Sequence, residues 1–144
     1  TLIMAITQTM CTSFKKEILQ AVHNFSAAGG HTFKIALYTS SATIGADTTA
    51  FTTSNEASGT AYVSGGFTLT NVEPSSGGTT GFCDFEDAYW NSSSITARGA
   101  LIYNSSQSNK AVCVLNFGAD ITSNPDFRIR FPVNDADTAV IRIT

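Results

Sequence analysis

The chain has 144 residues, a formal net charge of −3, 42 % hydrophobic residues and 13 % charged residues. That length suits one domain that can bury a core without disulfides or metal, and the charged fraction is about half the usual quarter. The chain has no run of Lys or Arg to bind nucleic acid, no apolar run near the ~20 residues that span a bilayer, and no secretory-signal pattern in TLIMAITQTM.

Residues 1–11 read as an extended N-terminal arm, with Met4 in the position of an initiator and Thr1–Ile3 upstream of it. Ser13 can cap an amphipathic helix over about 13–26. In it Phe14, Ile18, Val22 and Phe25 form the apolar stripe, and Lys15, Lys16, Glu17, Gln20 and Asn24 the polar side. Gly29 or Gly30 can take the left-handed position that closes it.

The first strand, about 32–38, alternates Phe33, Ile35 and Leu37 with Lys34, Ala36 and Tyr38. Residues 39–61 are rich in Thr, Ser, Ala and Gly, with Ile44 and Phe51 as anchors. A connection this long points to function, and it is expected to run along a neighbouring subunit or receptor surface. A strand over about 61–72 carries a glycine bulge at Gly65-Gly66, and Glu73–Gly78 reads as a turn. Residues 79–90 form the next strand, with Gly81, Cys83 and Phe85 on one face and Asp84 and Glu86 on the other, solvated one.

Strands over about 95–104 and 110–117 organise the rest. ITARGALIY and KAVCVLNF both alternate at period two and are joined by the polar turn NSSQSN. Both faces of the second arm are apolar, which predicts a central antiparallel pair covered on both sides. Gly118–Asp126 reads as a loop. Strands over about 127–133 and 138–143 close the chain, with Pro132 marking a sheet edge. Seven short strands at this spacing predict a mainly β fold: an antiparallel β-sandwich or jelly-roll-like single domain over 12–144, with one N-terminal amphipathic helix.

The polar constellations specify no reaction. Cys11, Cys83 and Cys113 are odd in number and lack a CxxC, so neither zinc nor a disulfide framework is indicated. Cys83 and Cys113 read as small buried hydrophobes, and Cys11, on an exposed arm, could cross-link chains. His23 and His31 are eight residues apart, off the i, i+4 ligand spacing, and read as surface or helix-end histidines. Asp84, Glu86 and Asp87 beside Tyr89 and Trp90 match the paired carboxylates of glycoside hydrolysis or sugar binding, but Asp84 and Glu86 alternate on one strand face and read as its solvated side. The aspartates at 120, 126, 135 and 137 sit in turns without a calcium-loop pattern. No GxSxG and no phosphate-binding glycine loop are present. Arg98, Arg128, Arg130 and Arg142 fall in strands, where a shared face could pair with acids of an adjoining chain. No catalytic residue, metal ligand or cofactor is indicated.

MAITQTMCTSFKKEIL, TFKIALYTSSATIGADTTAF, ITARGALIYNSSQSNKAVCVLNFG and the closing FPVNDADTAVIRI together resemble small virion structural proteins of tailed bacteriophages. The likeness runs over nearly the whole chain, and IALYTSSA, RGALIYN and AVCVLNFG are specific in combination. It implies a non-enzymatic, multicopy virion protein assembled in the bacterial cytoplasm. The expected role is a capsid decoration or cement protein that binds the major capsid protein, or other virion proteins, and strengthens the head. A homo-oligomer is expected, as a trimer at a local three-fold of the shell. Neither nucleic acid nor membrane is expected as a partner. Candidate contact residues are Thr7, Gln8 and Thr9 on the arm, Ile44 and Phe51 on the long loop, and Tyr89 and Trp90. The alternatives are a tail, baseplate or fibre component, and, from another class, a carbohydrate-binding module built on Tyr89 and Trp90.

Overall fold

The computed structural model describes residues 5–144; Met4 and the residues before it lie outside the described residues. In chain order the elements are β1 (Thr9–Met10), α1 (Thr12–Leu19), β2 (Phe33–Tyr38), β3 (Phe67–Thr68), β4 (Asn71–Gly77), β5 (Thr80–Phe85), β6 (Ala88–Trp90), β7 (Thr96–Asn104), β8 (Lys110–Thr122), β9 (Phe127–Ile129) and β10 (Ile141–Ile143). They build a five-stranded sheet in the order β1-β8-β7-β2-β3, a three-stranded sheet β10-β5-β4 and a two-stranded sheet β6-β9. Every strand pair is antiparallel. The mainly β, sandwich-like architecture with one helix is the one that the side-chain periodicity predicts.

The large sheet is the middle layer. Phe33, Ile35 and Leu37 of β2 pair with Asn104, Ile102 and Ala100 of β7, so these six share one face. That face meets the two small sheets through aromatic rings. Phe33 stacks on Phe25 at 4.3 Å and lies 5.7 Å from Phe85 of β5, while Trp90 of β6 packs edge-on against Phe67 of β3 and Phe127 of β9. Offset and edge-to-face aromatic pairs of this kind each contribute about 0.5–1.5 kcal/mol beyond area burial.

The opposite face is covered by the chain's own irregular segments. Phe51 stacks on Tyr103 of β7 at 4.8 Å, and the Tyr38 hydroxyl donates to the Thr52 carbonyl at 2.6 Å. Ile6, buried, bridges to Ile44 and reaches Gly99 of β7. The Glu56 carboxylate ties the end of the long loop together by accepting from the Tyr62 hydroxyl, the Ser64 hydroxyl and the Gly65 N–H. From Ala100 to Asn104, β7 is buried without interruption.

Several expected boundaries move. The helix ends at Leu19, not near 26. Ala21 takes the left-handed conformation (φ 58°), its N–H bonds the Ile18 carbonyl, and the Val22 N–H bonds the Glu17 carbonyl. This is the double closure that terminates a helix, formed by an alanine in place of the expected Gly29 or Gly30. Ser13 is inside the helix and caps nothing; Cys11 is the N-cap residue, without a side-chain cap bond. The strand expected over 61–72 begins only at Phe67. Gly65 and Gly66 have φ of 99° and 86°, and a Cβ on Gly66 would lie 1.9 Å from the Ile35 carbonyl oxygen, so the chain turns there.

Glu73–Gly78 is not a turn as a whole. β4 runs through Pro74 to Gly77, and the hairpin reverses at Gly78 and Thr79. Pro74 is tolerated because β4 is an edge strand with a bulge between Val72 and Ser75. The stretch 79–90 divides between β5 and β6, in different sheets. β8 extends past Phe117 to Thr122 through a register shift against β7, where a loop was expected, whereas β9 and β10 are shorter than their patterns.

Residues 5–11 are not a free arm. Thr9 and Met10 pair with Val114 and Cys113, and the Cys11 N–H bonds the Val112 carbonyl at 3.0 Å. The 39–61 loop likewise lies on its own body, with Ala42, Ile44 and Ala57 buried.

Gly99 is where the docked N-terminal segment meets the central sheet. A Cβ there would lie 2.6 Å from the Leu115 carbonyl oxygen and 2.8 Å from Ile6 Cγ2. Gly99→Ala is expected to destabilise the fold by about 1–3 kcal/mol in guanidinium unfolding, with residues near Ile6 becoming sensitive to protease before the rest.

Candidate partner-binding groove

The aromatic seam stops short of one edge of the large sheet, and a groove of about 700 Å³ opens there between β8 and the two small sheets. Alternation places Cys113, Leu115 and Phe117 on the side of β8 that faces the groove, with Met10 beside them from β1. The opposite wall carries Ile129, Phe131 and Val140. Leu115, Phe117, Phe131 and Val140 are half-buried: they pack on the core and still present apolar surface.

Arg128, Arg130 and Arg142 also line this groove, and among the described residues no Asp or Glu does. Three of the chain's eight cations therefore gather at one opening. None of the three has a carboxylate within ion-pair distance among the described residues, where Arg98–Asp120 is the one Arg pair. Arg128 sits over the Tyr89 ring at 5.9 Å, and Arg142 donates to the Asp137 carbonyl. Arg142 acts weakly on the Asp135 carboxylate, which is already committed. It accepts from the Thr138 hydroxyl and from the N–H groups of Asp137 and Thr138, which hold it below the usual carboxylate range, with Arg142 the smallest influence. β9 and β10 each pair on one side only, so two strand edges are open at the groove.

The candidate contact residues scatter around this geometry. Gln8 and Thr9 line the groove, and the Gln8 carboxamide oxygen accepts the Asn116 N–H at 3.0 Å. Thr7 and Ile44 flank a separate hollow, with Ile44 itself buried. Phe51 is spent on Tyr103. Tyr89 is 46 % exposed, with its ring beside Phe67 and Arg128, and Trp90 is buried between Tyr62, Phe67 and Phe127. Asp84 is buried too, not on a solvated face. Tyr89, Trp90, Asp84 and Glu86 therefore do not make one open platform.

The histidines converge, which their spacing gave no reason to expect. The His23 side chain has no exposed surface, because the chain leaves the helix before it and folds the imidazole against Phe14 at 5.0 Å. Asn104, at the end of β7, joins the pair. Its Oδ1 accepts the Ser106 N–H, so its Nδ2 faces His23 Nδ1 and His31 Nδ1, both at 3.0 Å. Each Nδ1 is thus an acceptor. His23 carries its proton on Nε2 and donates it to Glu17 Oε1 at 2.9 Å, a role assigned from the network. With both ring nitrogens engaged and the ring buried, His23 braces α1 against β7 and has no route to a substrate.

The three thiols are free and buried. Burial pushes Cys11 up to about 11 and Cys83 and Cys113 up to about 12, so all three stay protonated and unreactive at neutral pH. Cys11, expected on an exposed arm, is fully enclosed and cannot cross-link copies while docked.

No protein-family model, curated protein or solved structure matches the chain. The likeness to phage virion proteins therefore rests on the sequence motifs themselves.

Burial raises the Asp84 carboxyl above its ordinary range, with the Phe85 and Val140 backbone opposing and Asp87 adding; its Oδ2 has no partner among the described residues. A carboxyl raised on folding is easier to ionise in the unfolded chain, so it costs stability as pH rises through that shifted range. Asp84→Asn is expected to stabilise the protein by about 1 kcal/mol at pH 7 and to lose the advantage below the usual carboxylate range, as read by denaturation at a series of pH values.

Proposed function

We propose that this chain is a non-enzymatic structural protein of a tailed-bacteriophage particle, a capsid decoration or cement protein that binds the major capsid protein and stabilises the head. The observation that carries the reading is the groove: apolar walls, open strand edges and three arginines without carboxylate partners among the described residues make a surface suited to gripping another chain. The sequence motifs supply the virion context. The rigid, doubly covered central sheet suits a body that must hold its shape under load. The mechanism is additional buried interface; a stable contact of standard size covers about 800 Å² on each partner. The buried, fully engaged His23 favours a structural over a hydrolytic reading.

Heads assembled with and without this chain, imaged by cryo-electron microscopy and heated while DNA release is followed, test the proposal. Density for the chain on the outer shell, and release at lower temperature when it is missing, are the expected results. Density confined to the tail, or identical heat resistance, would contradict it.

A further inference from the structure

We propose that the groove takes an extended segment of a partner chain in which apolar residues alternate with Asp or Glu, laid beside the open edges of β9 and β10. This rests on the reading of the protein as one that grips its neighbours, and it names the chemistry of what is gripped.

Three observations converge. Arg128, Arg130 and Arg142 lack carboxylate partners among the described residues, and the groove lining there contains no acid. The lining is cationic although the whole chain carries eleven acids against eight Lys and Arg. The same lining holds Leu115, Phe117 and Phe131, half-buried and apolar. A helix of about 10–12 Å diameter would meet this surface along one face only. A strand presents alternate side chains to opposite sides, which sends one set to the apolar floor and the other to the cationic rim. The open edges of β9 and β10 offer backbone groups for such a segment. Guanidinium groups bind carboxylates in a two-pronged geometry, so acids are favoured over neutral polar residues at the rim.

The probe is a fluorescein-labelled peptide of alternating Val and Glu, with a Val/Lys counterpart and a single-stranded oligonucleotide of equal charge as comparisons. Fluorescence anisotropy against the full chain should show saturable binding of the Val/Glu peptide, weakened by added salt, and none of the Val/Lys peptide. Arg130→Glu should weaken it by about tenfold, and Arg130→Gln by less. Lys15→Glu, the same charge change on the exposed side of α1, should leave it unchanged; circular dichroism checks that each variant is folded. Equal binding of both peptides, indifference to Arg130→Glu in a folded variant, or tighter binding of the oligonucleotide would overturn the inference. Failure here with the chain still found on the shell removes this inference alone. Peptide binding by a chain found nowhere on the particle removes the virion reading alone.

Discussion

The structure depends on one constraint: a central sheet whose two middle strands are apolar on both faces must be covered twice. β7 cannot leave either row of side chains in water, since fully burying each large apolar residue is worth about 1.5–3 kcal/mol. On one side the cover is the pair of small sheets, joined by the aromatic rings of Phe25, Phe33, Phe85, Trp90 and Phe127. On the other side no regular element is available, and the chain uses its N-terminal segment and its long loop. Ile6, Ile44 and Phe51 are therefore structural residues first. The segments that look free in the sequence close the second face.

That use of the chain leaves one place uncovered. Each small sheet is narrower than the large one, and the gap is lined by Leu115 and Phe117 of β8, the latter packed on Phe127 of β9. The same region collects three arginines, two from around β9 and one from β10. If the proposed partner segment binds there, the three arginines would favour carboxylates and repel other cations. The His23–Asn104–His31 cluster lies at the end of β7, where it locks the turn after α1 to the sheet.

Period-two alternation was strong enough in β2, β7 and β8 to reveal the central sheet and its double burial from residue types alone. It failed where local signals and tertiary packing disagreed. Val22 and Phe25 continue the apolar stripe of α1, yet Ala21 breaks the helix. Phe25 is needed flat against Phe33, which a continuous helix would not deliver. Pro74 read as a turn because the edge position and bulge that accommodate it depend on strand order, which spacing does not encode. Asp84 read as solvated because alternation gives a face but not what covers it. The groove had a partial signal, the arginines at 128, 130 and 142; what was missing was the arrangement that sets them against Leu115 and Phe117. The histidine cluster had none, since the contacts to Asn104 span 73 and 81 residues of sequence.

Native-state hydrogen exchange, resolved by residue, tests the double cover most directly. If both faces of the central pair are sealed, the amides of Leu101, Ile102, Val112 and Val114 exchange only through global unfolding and are the last to do so. Slower exchange in β5 or β10 than in β7 and β8, or early exchange along β7 while the small sheets stay protected, would contradict it.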